Sequence, residues 1–265
     1  MLQQLTKTSS LGKWMGLPAR SHISIWLVLL ISSINALFDL KNEWMLLVYP
    51  LGIVSVILHE FGHAWVGRIK RCSPLEMVIS PVGFGSRVRY EKPPEEPSVE
   101  KAVAIAGPVT SLGLAAVFYA LGFGVGAIAP EKSGIYQLID WLWKGNLAYA
   151  AINLLPAFPL DGGRIVRSWL APHKGRIEAT HTVARFGRFF SLMLIALGIG
   201  LPQLRLSTMF LLAIAVFITG EFEYHRLKFM QAKTKAEEQM AKAQGHTPVK
   251  SGDQLAVGPA PYERK

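Results

Sequence analysis

Cysteine occurs once in this chain, at Cys72, so no internal disulfide can form and nothing in the fold depends on an oxidising compartment. In this setting Cys72 reads as a small apolar residue. Charge is also sparse. Asp, Glu, Lys and Arg make up 17% of the residues, while 51% are hydrophobic and arrive in long uninterrupted runs, the signature of a membrane protein. The charge present is mainly positive, giving a formal net charge of +10. Nucleic-acid binding is not the reading, because the basic residues flank apolar runs and are not interleaved with stacking aromatics. No internal repeat and no inserted domain that would bind peptides or nucleotides is visible.

The apolar runs predict an all-α fold, a polytopic transmembrane helical bundle of about six spans. They fall near residues 22–40, 45–69, 102–129, 135–158, 185–201 and 203–220. Each is long enough for a hydrocarbon core, which requires roughly 20 residues, and the fifth and sixth, close together and short, suit tilted spans, a re-entrant segment or a tight hairpin. The first run is expected to be retained as a span, since it ends without a small-residue cleavage site. Between the second and third spans, "LEMVISPVGFGSRVRY" alternates apolar and polar residues around Gly83 and Gly85, which predicts a short β-hairpin or re-entrant loop. The chain thus divides into an N-terminal segment 1–21, a transmembrane domain 22–220 and a polar C-terminal tail 221–265. The first part of that tail has helical composition, and its end has little to bury.

Lys and Arg set the orientation. Lys7, Lys13 and Arg20 precede the first span, and Arg68, Lys70 and Arg71 follow the second. A further basic group, including Arg164, Arg167 and Arg176, lies between the fourth and fifth. The opposite connections are short and carry only Lys41 and Lys132. The expectation is a multi-pass protein of the cell membrane with both termini in the cytosol. Trp44, Trp141 and Trp143 near span ends suit interfacial anchoring.

Within the second span, "HEFGH" sets two histidines and a glutamate in a place where ionisable groups are costly. His59 and His63 are four residues apart, a rotation of about 40° and a rise of about 6 Å on a helix, so both imidazoles can bind one metal ion. Glu60 is turned about 100° from His59 and can face a water on that metal without being a ligand. This is the pattern of a zinc hydrolase. A catalytic zinc site wants a third protein ligand, and "NLLPAFPLDGG" offers Asp161 just after two helix-breaking prolines. Asp before Gly is also a common N-cap, and its pairing with the histidine motif is what favours the metal. The second and fourth spans both run inward, which brings Asp161 to the depth of His59, Glu60 and His63.

These pieces resemble the site-2 proteases, the zinc intramembrane metalloproteases. The matching parts are "HEFGH", then "AGPVTS" opening the third span, then "NLLPAFPLDGG" closing the fourth, together covering about residues 20–165. The resemblance implies Zn2+ held by His59, His63 and Asp161, with Glu60 as the catalytic base. It also implies that Asn153 holds the substrate backbone, although an interhelical hydrogen bond is the other role open to a buried amide. Gly107 and Ser111 have a small-xxx-small spacing that helix packing alone explains. Where the family often carries a Gly-Gly pair in the loop, this chain reads "PVGFGS".

The activity so implied is hydrolysis of a peptide bond in or near another protein's transmembrane segment. The partners are that substrate and the lipid bilayer, with no nucleic acid, and with room for a regulatory partner or oligomer. Two other functions use the same residues: a membrane metal-binding or metal-transport protein, and a catalytically silent scaffold that binds helices. Transport favours ionisable groups strung across the bilayer, whereas here they share one depth; the scaffold leaves an intact Glu60 without work.

Overall fold

The computed structural model describes residues 8–14, 16–22, 44–79, 86–128, 130, 133–200 and 206–243. Four strands, β1 (Thr8–Trp14), β2 (Leu17–His22), β3 (Pro74–Ile79) and β4 (Arg87–Tyr90), accompany six helices among them. The helices are α1 (Met45–Ile69), α2 (Pro97–Gly126), α3 (Gly134–Asn153), α4 (Asp161–Lys174), α5 (Arg176–Gly200) and α6 (Leu206–Ala243).

The chain is mostly helical, and the all-α expectation needs correction by one sheet, ordered β1-β2-β3-β4. The hairpin expected in the loop after α1 is the antiparallel pair β3–β4. Its expected centre at Gly83 and Gly85 lies outside the described residues. The second hairpin, β1–β2, is formed by residues expected to be only a segment ahead of the first span, and β2 runs parallel to β3 with Ala19 opposite Met77. A parallel pair needs a long crossover, and here α1 lies within it.

The sheet fixes the helix that carries the histidine motif. Leu17 and Ala19 of β2 and Met77 and Ile79 of β3 form one buried cluster with Ile57 and Ala64 of α1. Ile57 and Ala64 are seven residues apart and share a helix face, while His59 and His63 lie about a third of a turn away. The apolar contact therefore aims the histidines at a different neighbour, α2. At full burial each such apolar side chain contributes roughly 1.5–3 kcal/mol.

Among the described residues, three helical segments, Leu46–Ile69, Pro97–Gly126 and Arg176–Gly200, are long and apolar enough to cross a membrane. Of the expected first span, 22–40, His22 instead closes β2 and residues 23–40 lie outside the described residues. Residues expected to form the fourth span fold as α3, which carries Asp140 and Lys144 as an ion pair and stops at Asn153. The expected short fifth and sixth spans correspond to α5, which starts earlier at Arg176, and α6, which continues through 38 residues to Ala243. A hydrogen bond from Asn146 Nδ2 to Ser55 Oγ at 3.1 Å ties α3 to α1.

Candidate metal centre

Three elements converge on one point. From α1, the Nε2 atoms of His59 and His63 lie 3.2 Å apart, and from the start of α4 Asp161 Oδ2 lies 3.2 Å from the first and 3.1 Å from the second. All three side chains are buried, as is Glu60 beside them. Ligand atoms of His59, Glu60 and His63 fall within 4.8 Å of one another.

The third element, α2, holds the imidazoles from behind. His63 Nδ1 lies 2.7 Å from the carbonyl oxygen of Val103, and His59 Nδ1 lies 2.9 Å from Ser111 Oγ. Val103, Gly107 and Ser111 are each four residues apart, so they line one face of α2 opposite the pair on α1. Gly107 stands where the two rings meet. A Cβ at this position would overlap Nε2 of both His63 and His59, so the close approach requires glycine. Tyr90 of β4 donates to the His63 carbonyl at 2.9 Å, linking the sheet to α1 at the motif itself.

Asp161 is delivered by the break after α3. Leu160 occupies the N-cap with an extended backbone and no side-chain cap, leaving Asp161 as the first helical residue with its carboxylate turned to the histidines. The capping role open to it in the sequence is therefore not the one it adopts. Gly162 lets the helix start sit directly on the preceding loop, since a Cβ there would overlap the carbonyl oxygens of Leu154 and Leu155. Arg164 Nη1 stands 3.8 Å from Asp161 Oδ1. Asn153 ends α3 and is buried; its Nδ2 donates to Tyr149 O in its own helix at 3.0 Å. The interhelical amide bond is made by Asn146 instead. The Tyr149 ring packs edge-on against His59 with centroids 4.8 Å apart.

The donor chemistry fits a metal ion. A carbonyl oxygen cannot donate, so the bond to Val103 requires the proton of a neutral His63 on Nδ1 and leaves the lone pair on Nε2. That lone pair faces the Asp161 carboxylate and the His59 ring nitrogen, three acceptor-capable atoms with no obligatory hydrogen between them. A divalent cation satisfies all three, and backbone or hydroxyl partners behind ligating histidines are the usual means of fixing their orientation. In the sequence Gly107 and Ser111 show only a packing role, and nothing singles out Val103. The signal available was their shared spacing of four, which matches that of His59 and His63.

A model of the family described as "Peptidase family M50" matches residues 124–195, the stretch that includes Asn153 and Asp161. The chain is 31% identical over 191 residues to a protein named "Zinc metalloprotease MJ0392" from Methanocaldococcus jannaschii, an alignment covering 71% of this chain and 53% of that one. It is 32% identical over 164 residues to "Putative zinc metalloprotease YwhC" from Bacillus subtilis, covering 48% of this chain and 74% of the relative. The solved structure titled "Site-2 Protease from Methanocaldococcus jannaschii" matches with a TM-score of 0.60 at 27% identity, over 82% of this chain and 95% of that one. The chain thus spans about half the length of the first of these curated relatives.

Proposed function

Because the chain belongs to peptidase family M50, we propose that it is a zinc-dependent endopeptidase that hydrolyses a peptide bond in or near a transmembrane segment of another membrane protein. One observation carries the reading: the Nε2 atoms of His59 and His63 and Asp161 Oδ2, from two separate helices, lie within 3.2 Å of one another beside a buried glutamate. His59, His63 and Asp161 would hold the zinc ion. Bound there, zinc would polarise the scissile carbonyl and lower the pKa of the attacking water.

The chain's own residues do the rest. Glu60 accepts a proton from the water as its oxygen bonds to the carbonyl carbon, then gives that proton to the amine nitrogen as the C–N bond breaks. Val103 and Ser111 fix the ring orientations, so the imidazoles need no reorganisation during the reaction. Asn153 is the proposed holder of the substrate backbone, because a transmembrane helix must unwind before its peptide bonds are exposed and a freed strand needs hydrogen-bond partners. The remaining partner is the lipid bilayer, and the setting is the cell membrane with both termini cytosolic, which reporter fusions on opposite sides would refute.

Cleavage of a single-span membrane protein, reconstituted with the purified chain in proteoliposomes, tests this function. The expected result is cleavage that stops when a zinc chelator is added and returns when zinc is restored. Cleavage that persists with all metal removed would overturn it.

A further inference from the structure

A buried ion cluster lies beside the proposed metal centre and takes no part in the chemistry just described. Arg167, on α4, is 4% exposed, and Glu100, on α2, is 1% exposed. Arg167 donates from Nε to Glu100 Oε1 at 3.1 Å, and its Nη2 donates to the same oxygen. Its Nη1 donates to Glu223 of α6 at 2.7 Å, and its guanidinium stacks 5.0 Å from the centre of the Phe158 ring. Arg176, at the start of α5, adds an ion pair to Glu100 Oε2 at 3.4 Å.

The partners of Arg167 bracket both halves of the ligand set. Glu100 precedes Val103 by three residues on α2, and the Val103 carbonyl accepts from His63. Phe158 belongs to the loop that delivers Asp161, and Asp161 lies about 9 Å of helix rise ahead of Arg167 on α4. The Thr219 hydroxyl of α6, which donates to Ala215 in its own helix at 2.7 Å, lies 3.1 Å from the Phe158 carbonyl oxygen, so α6 packs on the loop as well as Arg167. Sliding α4 against α2 would break the Arg167 bonds and carry Asp161 Oδ2 away from the histidines.

Stability alone is a poor reason for such a cluster. Taking a guanidinium and a carboxylate out of water costs several kcal/mol per ion, and apolar residues of similar volume often serve as well or better. A rigid fork of donors gives direction, which apolar contact does not. Burial by itself would drive the Glu223 carboxyl up, yet the Arg167 guanidinium holds it below the ordinary carboxylate range, in keeping with a fixed ion pair.

We propose that Arg167, clamped by Glu100 and Glu223, is a positioning residue that sets the register of α4 against α2 and so places Asp161 on the metal held by His59 and His63. The inference rests on the proposed zinc site. It is tested on the whole 265-residue chain in detergent by measuring the Kd for Zn2+ through chelator competition, the visible spectrum of the Co2+-loaded protein, and kcat and KM on a transmembrane substrate. Arg167→Met should weaken zinc about 10- to 100-fold, the range for residues that orient ligands, and should alter the Co2+ spectrum. It should lower kcat while KM stays within about twofold. Arg167→Lys keeps the charge but not the fork and should fall between Arg167→Met and wild type. Asp140→Asn, which breaks the ion pair to Lys144 on α3, serves as the control and should change none of these readouts.

If Arg167→Met does not fold, Arg167→Lys and Glu223→Gln carry the same test with smaller expected losses. Folded variants with a wild-type zinc Kd, Co2+ spectrum and kcat would overturn the inference while leaving the zinc site in place. A wild-type chain that binds neither Zn2+ nor Co2+ would overturn the proposed function and this inference together.

Discussion

Glu60→Gln should leave the protein folded and zinc-loaded while its cleavage rate falls by at least about a hundredfold, the low end of what a positioned general base contributes. The reason lies in the division of labour. His59, His63 and Asp161 converge through their ring nitrogens and one carboxylate oxygen, whereas Glu60 is buried beside them and makes no contact with Asp161 of the kind the histidines make. Glutamine keeps the size of glutamate and much of its hydrogen bonding, so the metal should stay, but an amide cannot take a proton from water at neutral pH. Single-turnover cleavage measured beside zinc content separates the two effects. Near-native cleavage, or loss of zinc as complete as in a ligand variant, would mean that Glu60 is not the base.

The second large effect is expected at a residue that touches no substrate. In Gly107→Ala the new methyl overlaps the Nε2 atoms of both histidines, so the rings must turn or α2 must back away. Either movement disturbs the hydrogen bonds from His63 to Val103 and between His59 and Ser111, and metal should be lost together with activity. Gly113→Ala on the same helix is the matched control, because a Cβ there meets nothing within 4 Å. Helix propensity favours alanine over glycine by about 1 kcal/mol in both places. Gly113→Ala should therefore be neutral or slightly stabilising, and Gly107→Ala should lose its zinc; equal zinc content in the two variants would contradict the packing described here.

The histidine pair was legible in the sequence because a spacing of four carries its own geometry on a helix. Asp161 was legible because two prolines and two glycines mark a redirected chain at the end of an apolar run. What stands behind the histidines was not. Ser111 lies 52 residues from His59, and nothing local in "AGPVTSLG" distinguishes a hydroxyl that orients a ring from one that merely packs. The same limit hid much of the sheet. β3 and β4 show period-two alternation, but β1 and β2, "TSSLGKW" and "LPARSH", are rich in polar residues and lack it. The pairing of Ala19 with Met77 is long-range and leaves no local trace. In the sequence Arg167 is legible only as a basic residue that helps to set orientation, since its partners Glu100 and Glu223 lie 67 and 56 residues away.

The central claim is that two helices supply one metal centre through His59, His63 and Asp161. Zinc bound per chain, measured on detergent-purified wild-type protein and on Asp161→Ala, tests it most directly. The expected values are about one in the wild type and a small fraction of one in the variant, because a three-ligand site that loses its only carboxylate loses both a bond and a charge. A wild-type chain that binds no zinc, or an Asp161→Ala chain that retains its full complement, would contradict the account.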